Sequence, residues 1–165
     1  GAACATALAT FGFDVTGWSR TAKQIDGITC LSGPAGLDAA LKRADYCVLL
    51  LPSTAATENT LDGRTLALMP KGARILNPGR GPLIDDAALL DALDRGQIGH
   101  ATLDTFRVEP LPADHRFWTH KNVTVTPHIA SETRPAYSSK TIAENIRRGE
   151  AGEPFIYLVD RTAGY

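Results

Sequence analysis

Cysteine is scarce in this sequence, and no apolar run is long. Three cysteines occur among 165 residues, Cys4, Cys30 and Cys47. An odd number, widely spaced and set among apolar neighbours, argues against a disulfide frame or a cysteine metal site; reduced, core-packed thiols are expected. Reduced thiols suit the cytoplasm, which is the expected location. The longest apolar stretch, CVLLLP at 47–52, is the size of one strand, far short of the ~20 residues that cross a bilayer. A surplus of charge is also missing. Seventeen Lys and Arg against 18 Asp and Glu leave a net charge of −1, which gives no electrostatic case for a nucleic acid or an acidic membrane as partner. No pair among the four histidines has metal-ligand spacing, and no metal is expected. Repeats, low-complexity segments and a signal peptide are not visible. The chain opens at Gly1 straight into a helix-forming stretch, and further residues ahead of it are expected.

What is present fits one soluble α/β domain. Hydrophobic residues make up 44% and charged residues 21% of the chain, and this length can bury a substantial core. Small residues in GAACATALAT predict an opening helix able to pack closely on a sheet, stopped at Gly12. GITCL (27–31) reads as a strand and PAGLDAALKRA (34–44) as a helix with Pro34 near its start. DYCVLLLP (45–52) reads as a strand buried on both faces, the pattern of a parallel sheet. A helix near 60–68, a strand GARILN, a helix over 85–96 with acidic residues in its first turn, a strand HATLDTF and a strand NVTVTPHIA follow. TRPAYSSKTIAENIRRGE closes the pattern as a helix, before an irregular tail over 151–165. Strands alternating with helices predict a doubly wound parallel sheet, in which ligands bind outside the carboxyl ends of the strands. Polar and charged groups collect at those ends: Ser19-Arg20, Pro52-Ser53, Asn77 to Gly81, Asp104 and Pro127-His128.

ILNPGRGPLIDD (75–86) places Arg80 between two glycines. Glycine removes bulk, so the arginine can swing into a cleft and backbone can be approached closely. By residue type alone, Arg80 is equally a ligand for a planar anion or one half of a surface ion pair. His128 after a strand is either an acid/base or a structural histidine. His100, His115 and His120 lack such a setting and read as solvated or packing residues.

ILNPGRGPLIDDAALLDALDRGQI, ATLDTFRVEPLP and FWTHKNVTVTPHIA resemble, in order, the active-site segments of D-isomer-specific 2-hydroxyacid dehydrogenases. GWSR, TPHIASETRPA and the ending GEPFIYLVDRTAGY resemble the glyoxylate/hydroxypyruvate reductase A branch of that family. The resemblance covers essentially the whole chain. It implies a Rossmann-type dinucleotide-binding domain over residues 1–131, lacking its first strand and the start of its glycine-rich turn. Residues 132–165 would then be a helix and tail returning to a flavodoxin-like substrate domain that is mostly missing.

The resemblance also implies roles. Arg80 would bind the carboxylate and carbonyl of a small 2-oxo acid and favour the charge that develops as hydride arrives. His128 would be the acid/base, and Glu109 would orient its ring and favour its protonated form. Asp104 would contact the nicotinamide carboxamide. Gly1 would be the third glycine of the phosphate-binding turn, and Leu51 and Pro52, with Thr57, would line the adenosine side. Asn77 and Pro78 would border the nicotinamide ribose, with Ala130 and Ser131 near the ring. NAD-preferring sites carry an acidic residue after the second strand; Ser19, Arg20 and Lys23 stand here instead, so NADP(H) is preferred over NAD(H). The reaction implied is reduction of glyoxylate to glycolate or of hydroxypyruvate to D-glycerate, by a homodimer. Phosphoglycerate dehydrogenase and a dinucleotide-sensing corepressor-like module are the rivals.

Overall fold

A computed structural model describes residues 1–162 of the chain; the last three positions of the expected tail, 163–165, lie outside the described residues. Strands and helices alternate: α1 (Ala2–Thr10), β1 (Thr16–Ser19), β2 (Thr29–Ser32), α2 (Gly33–Lys42), β3 (Tyr46–Val48), α3 (Gly63–Leu68), β4 (Ala73–Asn77), α4 (Asp86–Asp94), β5 (Ile98–Leu103), β6 (Val123–Val125) and α5 (Pro135–Glu150). Every strand pairing is parallel, the α/β arrangement that the alternation predicts. The strands fall into two groups, a β1-β2 pair and a four-stranded sheet of order β3-β4-β5-β6.

Local chemistry sets the helix starts. Asp62 caps α3 by accepting from the Thr65 amide at 2.8 Å, while the Thr65 hydroxyl accepts from the Asp62 amide at 2.7 Å. Such a reciprocal pair satisfies two otherwise unbonded amides. Asp85 caps α4 through the Ala88 amide at 3.0 Å. Proline stands in the first turn of α2 and of α5, where its missing N–H costs nothing. Helix α4 then turns Leu89, Leu90, Ala92 and Leu93 into a core that also holds Leu61, Leu66, Ile75, Leu83, Ile98, Leu103 and Phe117.

Three expectations need correction. The strand expected over 45–52 is regular only from Tyr46 to Val48, and it is packed on one face. Leu49 is buried, but Tyr46, Val48 and Leu50 remain 56%, 41% and 38% exposed. Within this chain β3 lies at an edge of its sheet, with a neighbouring strand on one side only, and the apolar run alone does not show which of its faces finds a partner. Helix α1 buries none of its residues, so the close packing that its small side chains allow is not made within this chain. Cys4, on that helix, is therefore exposed rather than core-packed. Cys30 and Cys47 are half-buried, and burial pushes the Cys47 thiol up to about 12, as expected of an unreactive structural thiol.

Candidate active site

Parallel strands deliver their carboxyl ends to one edge. The register pairs Asn77 with Leu103 and Leu103 with Val125. The residues that follow (Pro78, Asp104 and Thr126) are thus set level on three adjacent strands. Asn77 is fully buried; its Nδ2 donates to the Arg80 carbonyl at 3.0 Å and its Oδ1 accepts from the Gly79 amide at 3.2 Å. The asparagine so holds the turn that carries Arg80. The close approach expected at the flanking glycines comes from the chain's own backbone. A Cβ at Gly79 would lie 2.8 Å from the Leu49 carbonyl oxygen, and one at Gly81 would lie 1.9 Å from the Phe106 carbonyl carbon. No larger residue fits at Gly81 without moving backbone. Arg80 itself is exposed, with Nη1 donating to the Gly79 carbonyl at 2.7 Å.

His128 and Glu109 meet across the ends of β5 and β6. The imidazole Nδ1 lies 2.9 Å from Glu109 Oε2, and Glu109 Oε1 accepts from the Phe106 amide at 2.9 Å. That amide bond, the histidine and the nearby Arg80 charge together hold the Glu109 carboxyl below its usual range. His128 takes a left-handed backbone, φ 54°, uncommon for a residue with a side chain. Asp104 stabilises that geometry. It is buried, and its carboxylate accepts from the Thr126 hydroxyl, the Ile129 amide and the Ala130 amide. Burial works to raise the Asp104 pKa, but these hydrogen bonds outweigh it and the net shift is downward.

Leu51 and Pro52 are half-buried beside this edge, and the Thr57 hydroxyl donates to the Pro52 carbonyl at 2.7 Å, closing the loop after β3. Pro78 is half-buried, while Ala130 and Ser131 are exposed. Gly1, Ser19, Arg20 and Lys23 belong to the other strand group: Gly1 caps α1, and Ser19 ends β1 with its hydroxyl donating to the Thr21 carbonyl at 2.8 Å. Arg20 and Lys23 are exposed just beyond that strand. A hydroxyl with two cations, and no carboxylate at position 19, fits a ribose bearing a 2′-phosphate and repels none of its charge.

The remaining histidines stand elsewhere. His100 Nε2 is 3.0 Å from the Thr124 hydroxyl, His115 Nδ1 accepts from the Phe117 amide, and His120 bonds Asp94 and the Asn122 amide. No group of three metal-ligating side chains occurs among the described residues. Sequence reasoning missed two contributors. Thr126 had a usable signal, a hydroxyl at the end of the strand next to Asp104's. Arg107, two residues before Glu109, had none, because its partners lie 23 to 49 positions away.

Residues 1–130 match the family described as D-isomer specific 2-hydroxyacid dehydrogenase, NAD binding domain. The chain is 42% identical over all 165 residues to a glyoxylate/hydroxypyruvate reductase A of Yersinia enterocolitica, of which it covers 53%. It thus spans about half the length of the curated relatives it matches. Two solved structures align over the whole chain. One, a D-isomer specific 2-hydroxyacid dehydrogenase from Xanthobacter autotrophicus Py2 in complex with NADPH and MES, has a TM-score of 0.97 and 47% identity, with 68% of it covered. The other, an NADPH-dependent glyoxylate/hydroxypyruvate reductase from Sinorhizobium meliloti in complex with NADP and sulfate, has a TM-score of 0.95 and 38% identity, with 54% covered.

Proposed function

This chain belongs to the D-isomer-specific 2-hydroxyacid dehydrogenase family, and we propose that it carries the nucleotide-binding and acid/base half of an NADPH-dependent reductase of small 2-oxo acids. The observation that supports this most is the 2.9 Å pairing of His128 Nδ1 with Glu109 at the strand ends that also carry the Arg80 turn. Bound NADPH supplies the hydride. Arg80 holds the substrate carboxylate and favours the negative charge developing on the carbonyl oxygen. Glu109 fixes the ring through Nδ1, so that Nε2 is the atom that gives the proton to the nascent alkoxide. Asp104, the proposed contact of the nicotinamide carboxamide, also keeps the 126–130 segment in place. Ser19, Arg20 and Lys23 select the 2′-phosphate, and Gly1, Leu51, Pro52, Asn77, Pro78 and Ala130 border the nucleotide.

Residues 1–131 serve the nucleotide and 132–165 return towards a substrate domain. Glyoxylate and hydroxypyruvate are the proposed substrates, the assembly a homodimer and the location the cytoplasm. Initial rates of NADPH and NADH oxidation by the full protein, with glyoxylate, hydroxypyruvate and pyruvate, test this reading. Faster NADPH oxidation with the first two acids is expected. A preference for NADH overturns the role given to Ser19 and Arg20, and cofactor binding without turnover fits a dinucleotide-sensing module instead.

A further inference from the structure

Arg107 extends from the end of β5 across two neighbouring loops. Its Nη1 donates to Glu58 Oε1 at 3.0 Å, and its Nη2 donates to the Ile84 carbonyl at 2.8 Å and to the Asn59 side-chain carbonyl. A weaker contact reaches the Pro82 carbonyl at 3.4 Å. One planar fork thus ties the loop after β3, the segment after Arg80 and the segment bearing Glu109. Only a guanidinium has the donors to do this at once. Backbone contacts complete the joint. The Asn59 amide donates to the Pro82 carbonyl at 2.9 Å, and Leu61 bridges Ile84. Asn59 holds a left-handed backbone, φ 51°, at the point where Arg107 grips it. Gly81 seats directly against the Phe106 and Arg107 backbone.

From this geometry we infer that Arg107 is a positioning residue for Arg80: it staples residues 82–84, and so sets where the Arg80 turn stands relative to Glu109. The effect on turnover rests on the function proposed above; the staple does not. Glu109 has its own bonds to the Phe106 amide and to His128, while Asn77 holds only the Gly79 and Arg80 end of the turn, so loss of Arg107 leaves the proton donor in place and shifts the carboxylate anchor through residues 82–84.

The test compares R107A and R107K with the full native protein, first without ligand, by amide hydrogen exchange. R107A is expected to speed exchange about tenfold in segments 57–61 and 79–85, with 123–130 unchanged. R107K, which can keep the Glu58 pair but cannot span the other acceptors, should fall between, and it serves alone if R107A does not fold. With a 2-oxo acid, KM should rise about tenfold while kcat falls less than threefold and the pH profile of kcat keeps its position. Unchanged protection in both segments overturns the staple. A shifted pH profile, or an equal loss in kcat and kcat/KM at constant KM, overturns the link to Arg80. Lost protection in a protein that reduces no 2-oxo acid supports the staple and overturns the reductase reading.

Discussion

The two strand groups differ sharply in what they bury. All the buried core residues lie between Leu41 and Phe117, in and around the β3-β6 sheet. By contrast β1 is only half-buried, β2 is exposed at both ends and half-buried between them, and α1 has no buried residue. Arg80, Glu109 and His128 stand at the ends of the packed sheet, whereas Ser19, Arg20 and Lys23 sit on the sparsely packed pair. Groups that must meet a reacting atom within a few tenths of an ångström need a stiff support. On the function proposed above, Ser19, Arg20 and Lys23 need only bring charge near a phosphate, and the packing seen around them is that of a chain covering 53% of a curated relative.

The contrast can be broken first at the core. Leu83, fully buried directly after the Arg80 turn, should cost about 2–5 kcal/mol when cut to alanine, since a cavity adds to the lost transfer energy. Urea unfolding measures it, and a cost under about 1 kcal/mol would show the packed half to be softer than described. Next, D104A removes the acceptor of three hydrogen bonds, and about 1–3 kcal/mol should be lost in the same assay.

A finer test uses pH. Glu109 has a folded-state pKa below its ordinary value of 4.5, so the folded protein binds this proton less readily than the unfolded chain. Its stabilising contribution is present above about pH 4.5 and is lost as pH falls through the lowered value. The melting-temperature gap between native protein and E109Q should therefore narrow on acidification from about pH 6 to about pH 3. The gap will be small, because the Glu109 side chain is 37% exposed and solvent screens it. A gap that widens would contradict the ionisation assigned to Glu109. Smallest of all, L8A on α1 should change stability by no more than about 0.5 kcal/mol, the counterpart of L83A on the sparsely packed side.

Much of this was readable in the residues, and the unread part has a physical pattern. Helix starts were legible because caps and prolines act locally: Pro34, Asp85 and Pro135 stand where the helices begin. Alternation of strands and helices was enough for a parallel sheet, and so for a shared edge of strand ends. Burial of β3 was misjudged because an unbroken apolar run reports hydrophobicity and carries nothing about which faces find neighbours. Cys4 was misplaced for the same reason. The Gly79 and Gly81 contacts, the Asp104 clamp and the Arg107 ties join positions far apart in the chain, and only packing reveals such contacts. Recognition of Arg80, Glu109 and His128 as a group came from resemblance; spacing alone left each of them ambiguous.

The most direct measurement is a paired one on the full protein and its H128A variant, NADPH affinity and steady-state reduction of glyoxylate. Loss of a proton donor held by Glu109 should lower kcat by about 100- to 10,000-fold and leave the NADPH dissociation constant within about threefold. Turnover surviving within tenfold of native, or nucleotide binding lost together with turnover, would contradict a proton-donating role for His128.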